Sequence, residues 1–142
     1  MTDKYLDAED CIVGRVATVA AKSALLGHNV HVLNCEKAVI SGSRTGVLAD
    51  ADENRARPGR PTKGPFIIRN TDRYVRRIIS RMLPRDTTRG REAEGRILCY
   101  TGLPEEFKDK KLEKVEGSHV SKLPTYKYIT IAEVCKHLGA KR

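Results

Sequence analysis

The chain has 142 residues, with 27 lysines and arginines against 18 aspartates and glutamates, four cysteines and no tryptophan. This length suits one domain spanning 1–142, no apolar run approaches the roughly 18 residues that a membrane span needs, and MTDKYLDAEDC carries acids where a secretory signal would be apolar. The cysteines Cys11, Cys35, Cys99 and Cys135 lie far apart, which predicts reduced, buried thiols in a cytoplasmic protein.

Tyr5-Leu6-Asp7 predicts a short first strand. An alanine-rich helix follows over Val13–Leu26, with Val13, Val16, Ala17, Ala20 and Ala24 on one face and Gly27 placed to stop it. NVHVLN (Asn29–Asn34) alternates and is β-branched, so it reads as a strand. Strand, helix and strand in this order predict the crossover of a parallel α/β sheet. AVISG (Ala38–Gly42) either extends that sheet or closes the second strand, and a weak helix covers Thr45–Asn54.

Composition then shifts. RARPGRPTKGPF (Arg55–Phe66) has three prolines and two glycines and predicts an extended, basic, irregular segment. Asn70 or Thr71 caps a helix running to Leu83, with Asp72 favourable in its first turn. Tyr74, Val75, Ile78, Ile79 and Met82 fall on one side of it, and Arg73, Arg76, Arg77 and Arg81 on the other. Pro84 ends this helix. A loop with Arg85, Arg89 and Arg91 leads through a short helical piece to a strand, RILCYTG (Arg96–Gly102). Pro104-Glu105-Glu106 opens a short helix to Val115, and Glu116–Thr125 reads as loop. The last segment, Lys127–Ala140, finishes with a helix signal, with Thr130 and Glu133 as a capping box and Gly139 as its stop.

The formal net charge of +9 is not spread evenly. Residues 55–96 hold thirteen bases and four acids, whereas the remainder holds fourteen of each. Twelve of those thirteen bases are arginine, while elsewhere lysines outnumber arginines eleven to three. Lysine serves general solubility. Arginine's planar fork suits bidentate contact with phosphate and stacking on bases, and it sheds water at lower cost.

Other chemistries have weaker support. GSRTG (Gly42–Gly46) lacks the G-x-G-x-x-G spacing, and no phosphate-loop motif occurs. Cys135 and His137 are two residues apart on a helix and point away from each other, so no metal site is expected. No cofactor, small-molecule substrate or catalytic set is indicated. A basic helix can lie on anionic lipid, but this one needs its apolar face for the core. With seven aromatic residues in the chain, a stacking platform for single strands is not expected. No short-turn partner helix precedes Arg73, as a DNA-reading helix-turn-helix would require. A rigid α/β body with an arginine face for folded RNA remains.

At these residues the chain resembles the universal family of large-subunit ribosomal protein thirteen, in its archaeal form. Asp7-Ala8, Gly14-Arg15-Val16-Ala17 and VLNCEKAVISG (Val32–Gly42) are similar to the family's opening. KGPF (Lys63–Phe66), MLPR (Met82–Arg85) and RGRE (Arg89–Glu92), in that order, are the most specific part. Arg81 stands where the family usually has glycine. The resemblance implies a three-layer α/β/α fold with a small, mainly parallel sheet of about four strands. It also implies non-enzymatic binding to large-subunit rRNA beside neighbouring ribosomal proteins, and a role in early subunit assembly. Carried onto matching positions, the implied RNA contacts are Lys63, Arg69, Arg73, Arg76, Arg77, Arg85, Arg89 and Arg91. The residue pattern adds Arg81, and Arg55, Arg57 and Arg60 extend the set. The rival readings are a Rossmann-like nucleotide-binding enzyme using the turns after Asp7 and Gly42, and a free RNA-binding regulator of messenger RNA.

Overall fold

The computed structural model describes residues 2–141. Strand β1 (Asp3–Asp7), helix α1 (Val13–Leu25) and strand β2 (Asn29–Leu33) form the expected crossover, and β1 and β2 pair in parallel from Asp3↔Asn29 to Asp7↔Leu33. Alanines on the buried face of α1 let its backbone lie close on the sheet. Gly27 ends the helix at φ 98°, with Gly27 N donating to Ala24 O and His28 N to Ser23 O. That double closure satisfies carbonyls that a helix end otherwise leaves open.

Asn34 takes a left-handed conformation (φ 56°) and donates through Nδ2 to the Asp7 carboxylate at 2.9 Å. The chain turns there, so β3 (Val39–Ser41) neither extends the parallel sheet nor closes β2. It pairs antiparallel with β5 (Tyr128–Thr130), from Val39↔Thr130 to Ser41↔Tyr128. The third parallel strand is β4 (Ile97–Cys99), which lies beside β2 and gives the order β1-β2-β4. It is shorter than the span 96–102. Glu113 runs parallel to the free side of β1, exchanging hydrogen bonds with Tyr5 O (2.8 Å) and Asp7 N (3.0 Å). This contact shields an edge that would otherwise present unpaired backbone groups.

Ser43 caps α2 (Arg44–Ala56) by accepting from Gly46 N at 3.2 Å. The glycine turn before it is therefore a strand-to-helix connection. Helices α3 (Thr71–Arg81) and α4 (Thr88–Gly95) follow the proline-rich segment, and α5 (Ile131–His137) closes the fold. Leu6, Val30, Val32 and Ile97 on the sheet pack with Val16, Ala20, Val75, Ile79 and Ala93 from α1, α3 and α4. The opposite face of the sheet carries Tyr5, His31 and Tyr100, stacked in a row and covered by Phe107 from a 3₁₀ turn at Glu105–Phe107. The fold is thus a mixed, three-layer α/β arrangement built on a small parallel sheet. A smaller cluster of Ala51, Ile129, Val134 and Leu138 joins α2 and α5 to the β3–β5 pair.

Three expectations need correction. Residues 104–115 form only that 3₁₀ turn: Phe107 N and Lys108 N close it locally, and farther on Glu113 pairs through its N and O with β1 instead of continuing a helix. In Lys127–Ala140 the helix capped by Thr130 is preceded by β5, a strand the sequence reading does not name. Thr130 does cap α5, accepting from Glu133 N at 3.3 Å, but the Glu133 carboxylate faces Arg44 at 3.7 Å. Finally, α3 stops at Arg81, so Met82 leaves the apolar side and is 43% exposed. Cys11, Cys35 and Cys135 are buried free thiols and Cys99 is half-buried.

Candidate nucleic-acid interface

A helix presents charge well when its other side is anchored. In α3, Val75 and Ile79 reach full burial against α1 and the sheet, which fixes the rotation of the helix about its axis. Arg73, Arg77 and Arg81 then point to solvent. Arg76 does not share their side as expected. At about 100° per residue it falls between Ile79 and Ser80 on the helical wheel, and Ser80 is buried. The Ser80 hydroxyl donates to the Glu94 carboxylate at 2.6 Å, so α4 packs on this flank of α3. Arg76 remains exposed by extending past that seam, where its guanidinium donates to Glu94 O at 3.4 Å.

All twelve candidate side chains, from Arg55 to Arg91, are exposed. Among the described residues only one of them, Arg85, has a carboxylate partner, Glu94 at 3.7 Å. Several instead donate to backbone carbonyls. Arg77 reaches Phe66 O at 3.1 Å, and Arg91 reaches Arg85 O and Asp86 O, both at 3.3 Å. Arg89 reaches Leu25 O at 3.1 Å, at the negative end of the α1 dipole. Such bonds hold a guanidinium in place while its formal charge stays uncompensated, as a phosphate-facing surface requires.

The structure brings the candidates together in groups. Arg55 and Arg57, at the end of α2, meet Arg77 and Arg81 around one groove of about 220 Å³. Arg76 and Arg85 flank Glu94, with Arg91 against the Arg85 carbonyl. Arg89 borders a second hollow with Lys22, Leu26 and Met82. Arg69 lies against Gly139, just beyond α5. Arg60 and Lys63 stand on a tight loop, with Arg60 N donating to Gly64 O (3.0 Å) and Gly64 N to Arg60 O (2.8 Å). This turn interrupts the otherwise extended segment. Arg73 is exposed and free of side-chain partners among the described residues.

Arg96 stands outside the candidate set and turns inward. It donates to Ala24 O and pairs with Glu92, both at 3.4 Å, making it a brace between α1 and α4. Sequence reasoning missed the non-arginine lining of the groove, which includes Asn54, Phe66, Ile67 and Tyr74. Phe66 is 62% exposed. The signal for it was available, since a phenylalanine inside a proline- and glycine-rich basic stretch has no helix or strand periodicity to bury it.

Residues 3–106 match the family model described as Ribosomal protein L13. A protein of Methanococcoides burtonii named large ribosomal subunit protein uL13 is 39% identical over 136 residues, covering 96% of this chain and 97% of its own length. Proteins of the same name from Methanocaldococcus jannaschii and Archaeoglobus fulgidus are 40% and 38% identical, covering 96% and 94% of this chain and 97% and 86% of theirs.

Proposed function

The chain belongs to the ribosomal protein L13 family, non-enzymatic constituents of the large ribosomal subunit in the cytoplasm, and on that premise we propose that it binds and fixes folded large-subunit rRNA. The observation that carries this reading is the exposure of twelve cationic side chains with a single carboxylate partner among them. A structural protein without a polyanionic partner gains nothing from leaving such a concentration of guanidinium groups uncompensated, because they repel one another.

The mechanism is electrostatic and architectural. Helices α3 and α4 and the ends of the adjoining segments set the spacing of the guanidinium groups. RNA segments remote in sequence then have their phosphates neutralised together, and one arrangement of the RNA is favoured during assembly. Neighbouring proteins of the subunit would cover surface outside this face. The turn after Gly42 lends no support to a nucleotide-binding enzyme: it is the capped start of α2, with Ser43 Oγ accepting from Gly46 N, and it lacks the G-x-G-x-x-G spacing.

Engagement of about six phosphates gives a slope of roughly −4 to −5 in log K against log salt concentration. Titration of the purified chain against large-subunit rRNA over a salt series measures it directly, and a slope near zero refutes the proposal. Sedimentation of cell extract separates this role from that of a free regulator, which would leave much of the protein outside the large subunit.

A further inference from the structure

The groove between the end of α2, the segment 65–68 and α3 has two chemically distinct parts. Its rim carries Arg55, Arg57, Arg77 and Arg81, and among the described residues no acidic one lines it. Its wall is apolar and includes two rings, Phe66 and Tyr74. Phe66 is 62% exposed although it sits beside this hollow, so its burial is left unrealised in the isolated chain. The Arg77 guanidinium donates to the Phe66 carbonyl and ties the segment that carries the ring to α3.

We propose that this groove receives one unstacked base of the folded rRNA, with its flanking phosphates on the four rim arginines. The inference rests on the rRNA-binding reading above and names one subsite within it. Size limits the occupant: about 220 Å³ is less than the roughly 300–1,000 Å³ typical of small-molecule sites. Two rings on the wall and four guanidinium groups on the rim suit one small planar group attached to negative charge on both sides. A nucleotide within a strand has that form. An acidic peptide supplies the charge but has no reason to meet two rings and four guanidinium planes, all of which stack well on bases.

Two polar groups are available to read the base edge. The Asn54 amide donates to Asp50 O at 2.8 Å, leaving its carbonyl oxygen to accept. The Tyr74 hydroxyl has no hydrogen-bond partner among the described residues, and burial holds its phenol above the ordinary range, so it stays protonated and able to donate.

The test uses the full chain, with purified large-subunit rRNA from the source organism as the probe. Phe66→Ala is expected to weaken binding about 5- to 150-fold, the worth of one base–aromatic stack, with an unchanged salt slope because no charge is lost. Phe66→Leu, which keeps apolar bulk without a ring, should show a similar loss, and it carries the decision if Phe66→Ala lowers the melting temperature. In assembled subunits, p-benzoylphenylalanine introduced at position 66 should cross-link to an rRNA nucleotide. Full affinity in Phe66→Leu, or a cross-link to a protein instead, overturns the proposal. That failure is distinguishable from failure of the rRNA reading itself, in which the unaltered chain would bind without salt dependence.

Discussion

Gly90 opens onto the tightest backbone approach in the basic segment, and replacing it with alanine tests whether α4 is seated as described. A Cβ at this position would lie 1.9 Å from Pro84 O and 2.6 Å from the Pro84 carbonyl carbon. Both are backbone atoms, so no side-chain rotation relieves the clash. The Gly90 amide is also fixed, donating to Thr87 Oγ1 at 3.1 Å as part of the α4 cap. Overpacking of this kind costs roughly 2–3 kcal/mol, offset by about 0.5–1 kcal/mol from alanine's better helix propensity and the stiffer unfolded chain. The net loss of about 1–2.5 kcal/mol corresponds to a melting temperature about 3–8 °C lower for a domain of this size. Thermal unfolding followed by circular dichroism measures it. Gly95→Ala is the matched control: nothing lies within 4 Å of its Cβ position, so it should raise the melting temperature by a few degrees, about 2–3 °C. A Gly90→Ala protein melting at or above the unaltered chain refutes the packing of α4 against the Pro84 loop. Because that loop carries Arg85 and α4 carries Arg89 and Arg91, RNA affinity should fall with it.

The remaining predictions concern charge, a buried hydroxyl and a thiol. Reversing Arg73→Glu together with Arg77→Glu should leave the melting temperature within about 2 °C, since exposed charges contribute little to stability, and should abolish rRNA binding in a filter assay. Unfolding of this double variant would contradict the rotation assigned to α3. Ser80→Ala removes the donor to the Glu94 carboxylate and should cost about 1.5–3 kcal/mol in denaturant unfolding, whereas a neutral result would sink the α3–α4 seam. Burial, and the nearby Asp72 carboxylate, push the Cys135 thiol up to about 11 from its ordinary 9.0. The folded state thus keeps that proton longer than the unfolded chain does, so this contribution to stability is complete below pH 9 and lost as pH rises through 11. Urea titrations of the unaltered chain and Cys135→Ala should differ in slope against pH over that window, and parallel curves would exclude the effect.

Much of this architecture was legible from periodicity. The alanine face of α1 and its glycine stop appear in the sequence as they appear in the fold, because both depend on contacts within one short stretch. The burial of Val75 and Ile79 and the exposure of Arg73, Arg77 and Arg81 follow from the same kind of pattern. Failures occurred where the deciding partner lay far along the chain. Val39–Ser41 reads as a strand, but its neighbour is Tyr128–Thr130, and three residues of alternation are too few to separate that strand from the helix after it. Pro104-Glu105-Glu106 has the chemistry of a helix start, yet β1 supplies the hydrogen-bond partners that Glu113 uses. Arg76 and Met82 were misplaced for different reasons. A third helix packs beside Arg76, and α3 ends before Met82. The concentration of arginine was visible at once. Its division into groups was not, because the groove is lined from several separate stretches and exists only after α2, α3 and the segment between them have met.

The sheet order β1-β2-β4 places the whole arginine-bearing stretch between the second and third parallel strands in the chain. The sheet is therefore finished only after β4 has passed beyond a region of nine excess positive charges. Coulombic crowding thus works against completion of the core, and a polyanion engaging that region, as proposed above for rRNA, would relieve it. By mass action, RNA that holds the native arrangement also shifts the folding equilibrium toward it. On the proposed rRNA reading, this topology makes maturation of the protein and ordering of the RNA one coupled process.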